Sequence, residues 1–562
     1  MAAAATVTTA LVPMSASAAP EQKPESRTVD LQLLAVNDFH GNLEAPSGSG
    51  GRIVVGTNPD GTPRTVDAGG AEYLATHLAN LRAGHPNSLT VAAGDLIGAT
   101  PLLSAAFHDE PTVESLGTMG LDVTSVGNHE FDEGQAELLR MADGGCHPVD
   151  GCFDEDGWSG ADFPYLAANV VKESTGDTLL PPTWVKKVDG VKVGFIGMTL
   201  EGTPDIVTQS GIEGLEFRDE VETANALVPA LQRKGVQAIV VLLHEGGIQP
   251  GLYDECTGIS GPVVGIAENL DPAIDVMVTG HTHQGYNCTI DDPAGDPRLV
   301  TSASSFGRLV TEIDLTLDHR TNDVVRPSAT ATNHIVTRDV AKDPAQTQLI
   351  AKWRELLGPI ASQPVGTITA DINRVPDASG ENPLGDLIAD AQLADTAPAD
   401  RGGAVAAFMN PGGVRADLSF APDGVVTFEE AFSVQPFTNL LVTMTLTGAQ
   451  LDTMLEQQFG NPDPAQNRIL LPSDNVHYTW SASAPKGSKV SELTFGGTPV
   501  DPSASYRVTV NSFLADGGDG FSVLREGTDR LVGATDLDAF TAYLSANSPA
   551  APPATDRIDM TP

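Results

Sequence analysis

Five polar clusters, each directly following a short apolar run, constrain this chain more than any other feature of its sequence. LQLLAV (31–36) leads into Asn37-Asp38-Phe39-His40-Gly41, SLTVAA (88–93) into Gly94-Asp95, and VTSV (123–126) into Gly127-Asn128-His129-Glu130-Phe131-Asp132. AIVVLL (238–243) leads into His244-Glu245-Gly246-Gly247, and DVMVTG (275–280) into His281-Thr282-His283-Gln284. A sixth run, VGFIGM (193–198), lies between them. Continuous β-branched runs of this length read as strands buried on both faces. The segments AEYLATHLANLRAG (71–84) and ETANALVPALQRKG (222–235) have helical spacing and end at glycine. Residues 29–340 are therefore expected to form an α/β domain. In an open sheet of this kind, clusters at the carboxyl ends of strands converge on one crevice.

The residue types in those clusters specify the chemistry. Asp38, His40, Asp95, Asn128, His244, His281 and His283 offer oxygen and imidazole nitrogen donors without a thiolate. Such a set suits Mn, Zn, Co or Fe rather than a closed cysteine site. Seven donors are too many for one tetrahedral ion but fit two divalent metal ions that share a bridging carboxylate. Two ions about 3.5–4 Å apart can activate a water and stabilise the attacking and leaving oxygens of an in-line displacement. His129 has Asp132 three residues on. A carboxylate there fixes the imidazole's tautomer and keeps it cationic; the other role open to Asp132 is to cap the following helix.

The 562-residue length calls for at least two domains. DPAQTQLIAKWRELLG (343–358) reads as a helix with Asp343 as N-cap, Pro344 in the first turn and Gly358 after its end. It serves as the connector, placed at 341–361. From 362 to 548 a second domain mixes the strands AVAAFM, LLVTMTLTG and YRVTVNSFL with a helix at NPLGDLIADAQLAD. Its loop Asn410-Pro411-Gly412-Gly413-Val414-Arg415 brings backbone amides and a guanidinium together as an anion clamp. Phe437 in QPFTN and Phe513 in NSFLADGGDGF could sandwich a nucleobase, since every base has a π-face, or could be core residues. The tail, 549–562, reads as flexible.

With 31 basic and 74 acidic residues, the formal net charge is −43. Such a surface repels nucleic-acid polymer and anionic lipid, so an anionic substrate needs positive charge supplied locally. No stretch approaches the roughly 20 apolar residues of a membrane span. Residues 1–28 read as a signal remnant and flexible N-terminus, with the small-residue cleavage pattern Ala16-Ser17-Ala18-Ala19. The four cysteines lack metal or redox spacing and read as two disulfides, Cys146–Cys152 and Cys256–Cys288, in an oxidising compartment; four buried thiols are the alternative.

The order D-x-H, G-D, G-N-H-E-F-D, H-E-G-G and G-H-T-H-Q resembles the calcineurin-like metallophosphoesterases. With N-P-G-G-V-R, Q-P-F-T-N and S-F-L-A-D-G-G-D-G-F downstream, it looks more closely like their secreted 5′-nucleotidase and UDP-sugar hydrolase branch, over about residues 30–545. The resemblance implies a β-sandwich flanked by helices, joined by a helix to an α+β substrate-binding domain. It implies that Asp38, His40 and His283 hold one ion, that Asn128, His244 and His281 hold the other, and that Asp95 bridges them. His129, oriented by Asp132, would then meet the phosphoryl oxygens or the leaving group. Phe437 and Phe513 would stack on the base, Asn410, Gly412, Gly413, Arg415 and Asn439 would line the substrate site with Arg374 near phosphate, and Asp519 would accept from ribose hydroxyls. The implied function is that of an exported, secreted or extracytoplasmic, phosphohydrolase acting on nucleoside 5′-phosphates by attack of a metal-bound hydroxide. A 2′,3′-cyclic nucleotide phosphodiesterase, a nucleotide-sugar pyrophosphatase and an inactive binding protein are the alternatives.

Overall fold

The apolar runs form two sheets that pack face to face. In the first, strand Thr28–Val36 has antiparallel Leu309–Asp318 on one side and Ser88–Ala93, Val123–Ser125 and Tyr165–Leu166 in parallel succession on the other. The second runs Gly285–Asp291, Pro297–Ala303, Val276–Thr279, Ala238–His244, Val191–Thr199, Thr183–Val188, and its four inner strands are parallel. The computed structural model describes residues 1–6, 27–46, 48–154, 156–205, 207, 209–437, 439–461 and 467–562. The cleavage pattern at Ala16-Ser17-Ala18-Ala19 lies outside them.

Side chains alternate across a strand, so each run feeds two cores at once. Leu31, Leu33, Leu89 and Val91 of the first sheet meet Val193, Phe195, Val240 and Leu242 of the second in the sandwich interior. Leu34 and Val36 face the other way, onto Leu74 and Leu78 of helix Ala71–Arg82. On the far side Ile239, Val241 and Leu243 pack beneath helices Glu220–Arg233 and Pro262–Asn269. This double burial is why the inner parallel strands, such as Ala238–His244, are apolar at nearly every position.

The connecting helix is Pro344–Ala361, with the Asp343 side chain accepting from Ala345 N and Gln346 N. It runs three residues past Gly358, because Leu357 and Ala361 are buried and packing carries it through the glycine. Trp353, 1% exposed, packs against Phe107 with ring centroids 4.8 Å apart and planes tilted by 51°, and its indole donates to Glu114 at 2.7 Å. Gln346 and Ser115 exchange two more hydrogen bonds. The helix is thus fastened to the N-terminal sandwich by its own side chains.

Beyond it, a five-stranded sheet has the order Leu471–Pro472, Ala406–Met409, Ser505–Asn511, Leu440–Thr447, Thr528–Thr535. Helix Pro383–Thr396 shares a core with Met409 and Leu471, while helix Gly448–Glu456 shares one with Phe408, Met444 and Val508. All four cysteines are paired, Cys146 with Cys152 and Cys256 with Cys288. Among the described residues no helix is long and apolar enough to cross a membrane.

The tail corrects one expectation. Within residues 549–562, expected to be a flexible end, Ile558–Thr561 adds a parallel strand beside Val476–Ser481. Arg557 forms a two-pronged pair with Asp390 at 2.8 Å and also donates to Pro472 O, while Glu381 accepts the N–H groups of Arg557 and Ile558. A Pro- and Ala-rich stretch has no periodicity of its own; what orders it is a strand edge roughly eighty residues away in sequence. Removing one partner of a buried ion pair strands the other charge. Arg557→Met should therefore lower the stability of the C-terminal domain by about 3 kcal/mol, read as an earlier denaturation midpoint; an unchanged midpoint would mean that the tail is dispensable.

Candidate active site

The parallel strands end at the same edge of the sandwich, and all five clusters meet there. The ligand-type atoms of Asp38, His40 and His283 lie within 4.8 Å of one another, and so do those of Asp95, His244 and His281. Asp95 stands between the groups: its Oδ2 is 3.7 Å from His40 Nε2 and 2.9 Å from His244 Nε2. Asn128 Oδ1 lies 3.0 Å from His281 Nδ1. Asp38, His40, Asp95, Asn128 and His244 are at most 3% exposed.

The backbone turns sharply to achieve this. Asp38, His40, Asp95, His281 and His283 all have positive φ, between 45° and 70°. Non-glycine residues adopt this conformation at a cost on the order of 1–3 kcal/mol each, and it persists only where the surroundings over-determine it. Here Asp38 N, His40 N and Gly41 N bond to Gly94 O, Asp95 O and Leu96 O, which zips the first loop to the second. Gly94 and Gly127 pass so closely that a Cβ on Gly94 would lie 2.7 Å from Gly127 Cα.

Two histidines are oriented by backbone carbonyls. His40 Nδ1 faces Gly98 O at 2.8 Å, and His244 Nδ1 faces Ala93 O at 2.7 Å. A carbonyl only accepts, so Nδ1 carries the hydrogen and Nε2 is turned to the crevice, the arrangement that ligating imidazoles use. His244 Nε2 is buried and faces Asp95 Oδ2 at 2.9 Å.

His129 belongs to the same constellation. Its backbone N–H donates to Asp95 Oδ1 at 2.9 Å, and its Nδ1 pairs with Asp132 Oδ2 at 2.7 Å. Burial pulls its pKa down, but the charges of Asp132 and Asp95 outweigh this and raise it to about 10. Asp132 does not cap the following helix, Gln135–Asp143, whose N-cap is Gly134.

Two supporting residues carried no assignment in the sequence. Glu130 is 3% exposed and accepts from Asp95 N and Leu96 N at 2.9 Å and from Gly127 N at 2.5 Å. Asn37 donates to Asp38 Oδ2 and Ser304 O and accepts from Ala303 N. The signal for Glu130 was present: an acidic residue inside an otherwise buried motif must have partners.

A cavity of about 570 Å³ opens beside His129 and Asp132 and is lined on its other side by the C-terminal domain. Asn410, Gly412, Gly413, Arg415, Phe437, Asn439, Phe513 and Asp519 all line it. Phe437 and Phe513 are 36% and 43% exposed, so neither is a core residue. The Arg415 guanidinium lies 5.5 Å over the Phe437 ring, and Asn410 donates to Asp519 Oδ2 at 3.1 Å. Asn439 is tied to Asp536 and Ser512. Arg374 is outside the lining; it donates to Val414 O, and its like charge, after burial, lowers the pKa of Arg415.

Comparison with known proteins adds the relatives. Residues 31–285 match the calcineurin-like phosphoesterase family and residues 364–526 match the 5′-nucleotidase C-terminal domain. The chain is 33% identical to the Bacillus subtilis protein named Endonuclease YhcR and 33% identical to the Listeria monocytogenes cell wall protein Lmo0130, over 92% of its length in each case. It spans only 40% of the first and 66% of the second. Among solved structures, a 5′-nucleotidase precursor from Thermus thermophilus superposes with a TM-score of 0.66 at 26% identity, covering 95% of this chain and 99% of that one. A calcineurin-like sandwich followed by a matching C-terminal domain means that this chain belongs to the 5′-nucleotidase family of calcineurin-like metallophosphoesterases.

Proposed function

We propose that the chain is an exported two-metal phosphohydrolase that removes phosphate from nucleoside 5′-phosphates. The observation that carries this reading is the shared cavity: His129 and Asp132 line one side, and Phe437, Phe513, Arg415 and Asp519 line the other. Export is supported by the two disulfides and by the cell-wall relative.

Calcineurin-like metallophosphoesterases use divalent ions, and the donor set here fits them. Asp38, His40 and His283 would hold one and Asn128, His244 and His281 the other, with Asp95 between. The approach of His244 Nε2 to Asp95 Oδ2 at 2.9 Å and of His40 Nε2 to His283 Nε2 at 3.2 Å is what ligands turned toward common ions look like. When bound, Mn, Zn or Co ions would supply Lewis-acid activation of a water and neutralise phosphoryl charge. The chain's own residues do the rest. His129, held cationic by Asp132, neutralises charge on the phosphoryl oxygens and donates a proton toward the departing ribose oxygen. Arg415 and the amides of Gly412 and Gly413 hold phosphate, the two phenylalanines stack on the base, and Asp519 with Asn410 meets the ribose. A phosphodiester substrate is the second reading, because one relative is named an endonuclease.

Phosphate release from AMP, ADP, ATP, UDP-glucose, 2′,3′-cyclic AMP and p-nitrophenyl phosphate, with chelator and after metal add-back, tests the proposal. AMP should far outpace p-nitrophenyl phosphate, and chelator should stop both; a lead for cyclic AMP selects the diesterase reading. Phe437→Ala and Phe513→Ala should each cost about 1–3 kcal/mol of nucleotide binding and leave p-nitrophenyl phosphate turnover unchanged. Asp132→Asn should lower kcat by about 10²–10⁴, whereas hydrolysis that survives Asp95→Ala would overturn the two-ion assignment. Glu130→Gln should lower metal retention as well as kcat, because it loosens the loops that carry Asp95 and Asn128.

A further inference from the structure

Apart from the residues around Asp95, imidazoles and carboxylates also converge at the rim of the cavity. His108 lies between helices Leu102–Ala105 and Glu110–Thr118 and lines the cavity together with Glu133. His147 and Asp150 come from the loop closed by Cys146–Cys152, in which His147 and Gly151 exchange both backbone hydrogen bonds. His108 Nε2 lies 2.9 Å from Asp150 Oδ2, and His147 Nδ1 lies 3.1 Å from the same oxygen. The two rings stack with centroids 3.8 Å apart, each presenting one nitrogen to that carboxylate. On its other side, His108 Nδ1 pairs with Glu133 Oε2 at 2.5 Å.

We propose that His108, His147 and Asp150 form a further divalent-cation site, of the zinc class, that pins the disulfide loop to the wall of the cleft. Two imidazoles and one carboxylate form a set that borderline cations favour over hard ones. One donor atom from each residue lies within 4.8 Å of the others. A tetrahedral zinc with bonds of about 2.0–2.1 Å holds its donors about 3.3 Å apart. Exchange of the proton between His108 and Asp150 for an ion therefore keeps roughly this donor spacing and requires the two stacked rings, 18° from parallel, to turn until both lone pairs meet the ion. Glu133 supplies what a ligating imidazole needs on its second nitrogen, a carboxylate that fixes the tautomer. His147 Nδ1 accepts from Asp150 N at 3.1 Å, so that nitrogen carries no proton, and ligation would turn its one lone pair from that N–H to the ion. None of these residues is a candidate ligand around Asp95, so the site stands independently of the proposed hydrolysis.

The test counts ions on the full, disulfide-intact chain, stripped with chelator, reloaded with zinc, desalted and read by elemental mass spectrometry. Asp150→Asn and His147→Gln should each bind one zinc per chain fewer than the wild type. Asp95→Ala combined with Asp150→Asn should likewise bind one fewer than Asp95→Ala alone, which separates this site from the hydrolytic one. With Co²⁺ as the probe, Asp150→Asn should lose part of the visible absorption. Thermal midpoints in chelator serve as the folding control, and if one variant melts early, the other carries the count. Equal zinc counts in the wild type and a folded variant overturn the proposal and leave an ion-pair network alone.

Discussion

The carboxylate of Glu130 accepts three backbone N–H groups, from Asp95, Leu96 and Gly127, at the point where two parallel strands end. Past its last ladder bond a strand leaves N–H groups pointing into the interior, and buried donors must be paired. Burial and the nearby Asp95 charge raise the pKa of Glu130 to about 7, against the pull of those N–H groups. Without this acceptor the loops carrying Asp95 and Asn128 would have to open to water. The crevice, the His129–Asp95 bond and the cavity beside them all depend on those loops staying closed.

The same edge of the sandwich holds strain in place. Five of the seven candidate ligands sit in left-handed backbone conformations, and a sandwich packed on both faces of both sheets is stiff enough to keep them there. A residue with positive φ just after a strand reverses the chain within one step. Its side chain, rather than its backbone, then faces the crevice. Such strain gives pre-organisation: donors are in position before any ion or substrate arrives, so little ordering entropy remains to oppose binding.

The cavity answers the difficulty set by the −43 charge. Arg415 and Arg525 line it from the C-terminal domain and His129, its pKa raised to about 10, from the sandwich, set among carboxylates that include Asp109, Asp132, Glu133, Glu137, Asp516 and Asp519. An anionic substrate would have to meet those cations at short range, against both these carboxylates and an unfavourable overall field. The connecting helix, anchored through Trp353 and Gln346 to the sandwich, fixes where the second domain begins and therefore which residues can face His129.

The strands and the crevice at their ends were legible in the sequence, because a strand buried on both faces writes a continuous apolar run and a strand end writes an abrupt polar one. The sequence also determined the helices at 71–82, 220–233 and 344–361 to within a few residues, through their spacing and end signals. Tertiary structure alone decided the rest. Asp132 could have capped a helix, and only the turn at Gly134 turned it toward His129. Phe437 and Phe513 could have been core residues until the fold left both half open on one cavity. Arg374, the rim cluster at His108 and the paired tail at Ile558–Thr561 carry no local periodicity that would announce them. Their partners lie tens to hundreds of residues away, and contacts of that kind exist only once the sheets have set which loops meet.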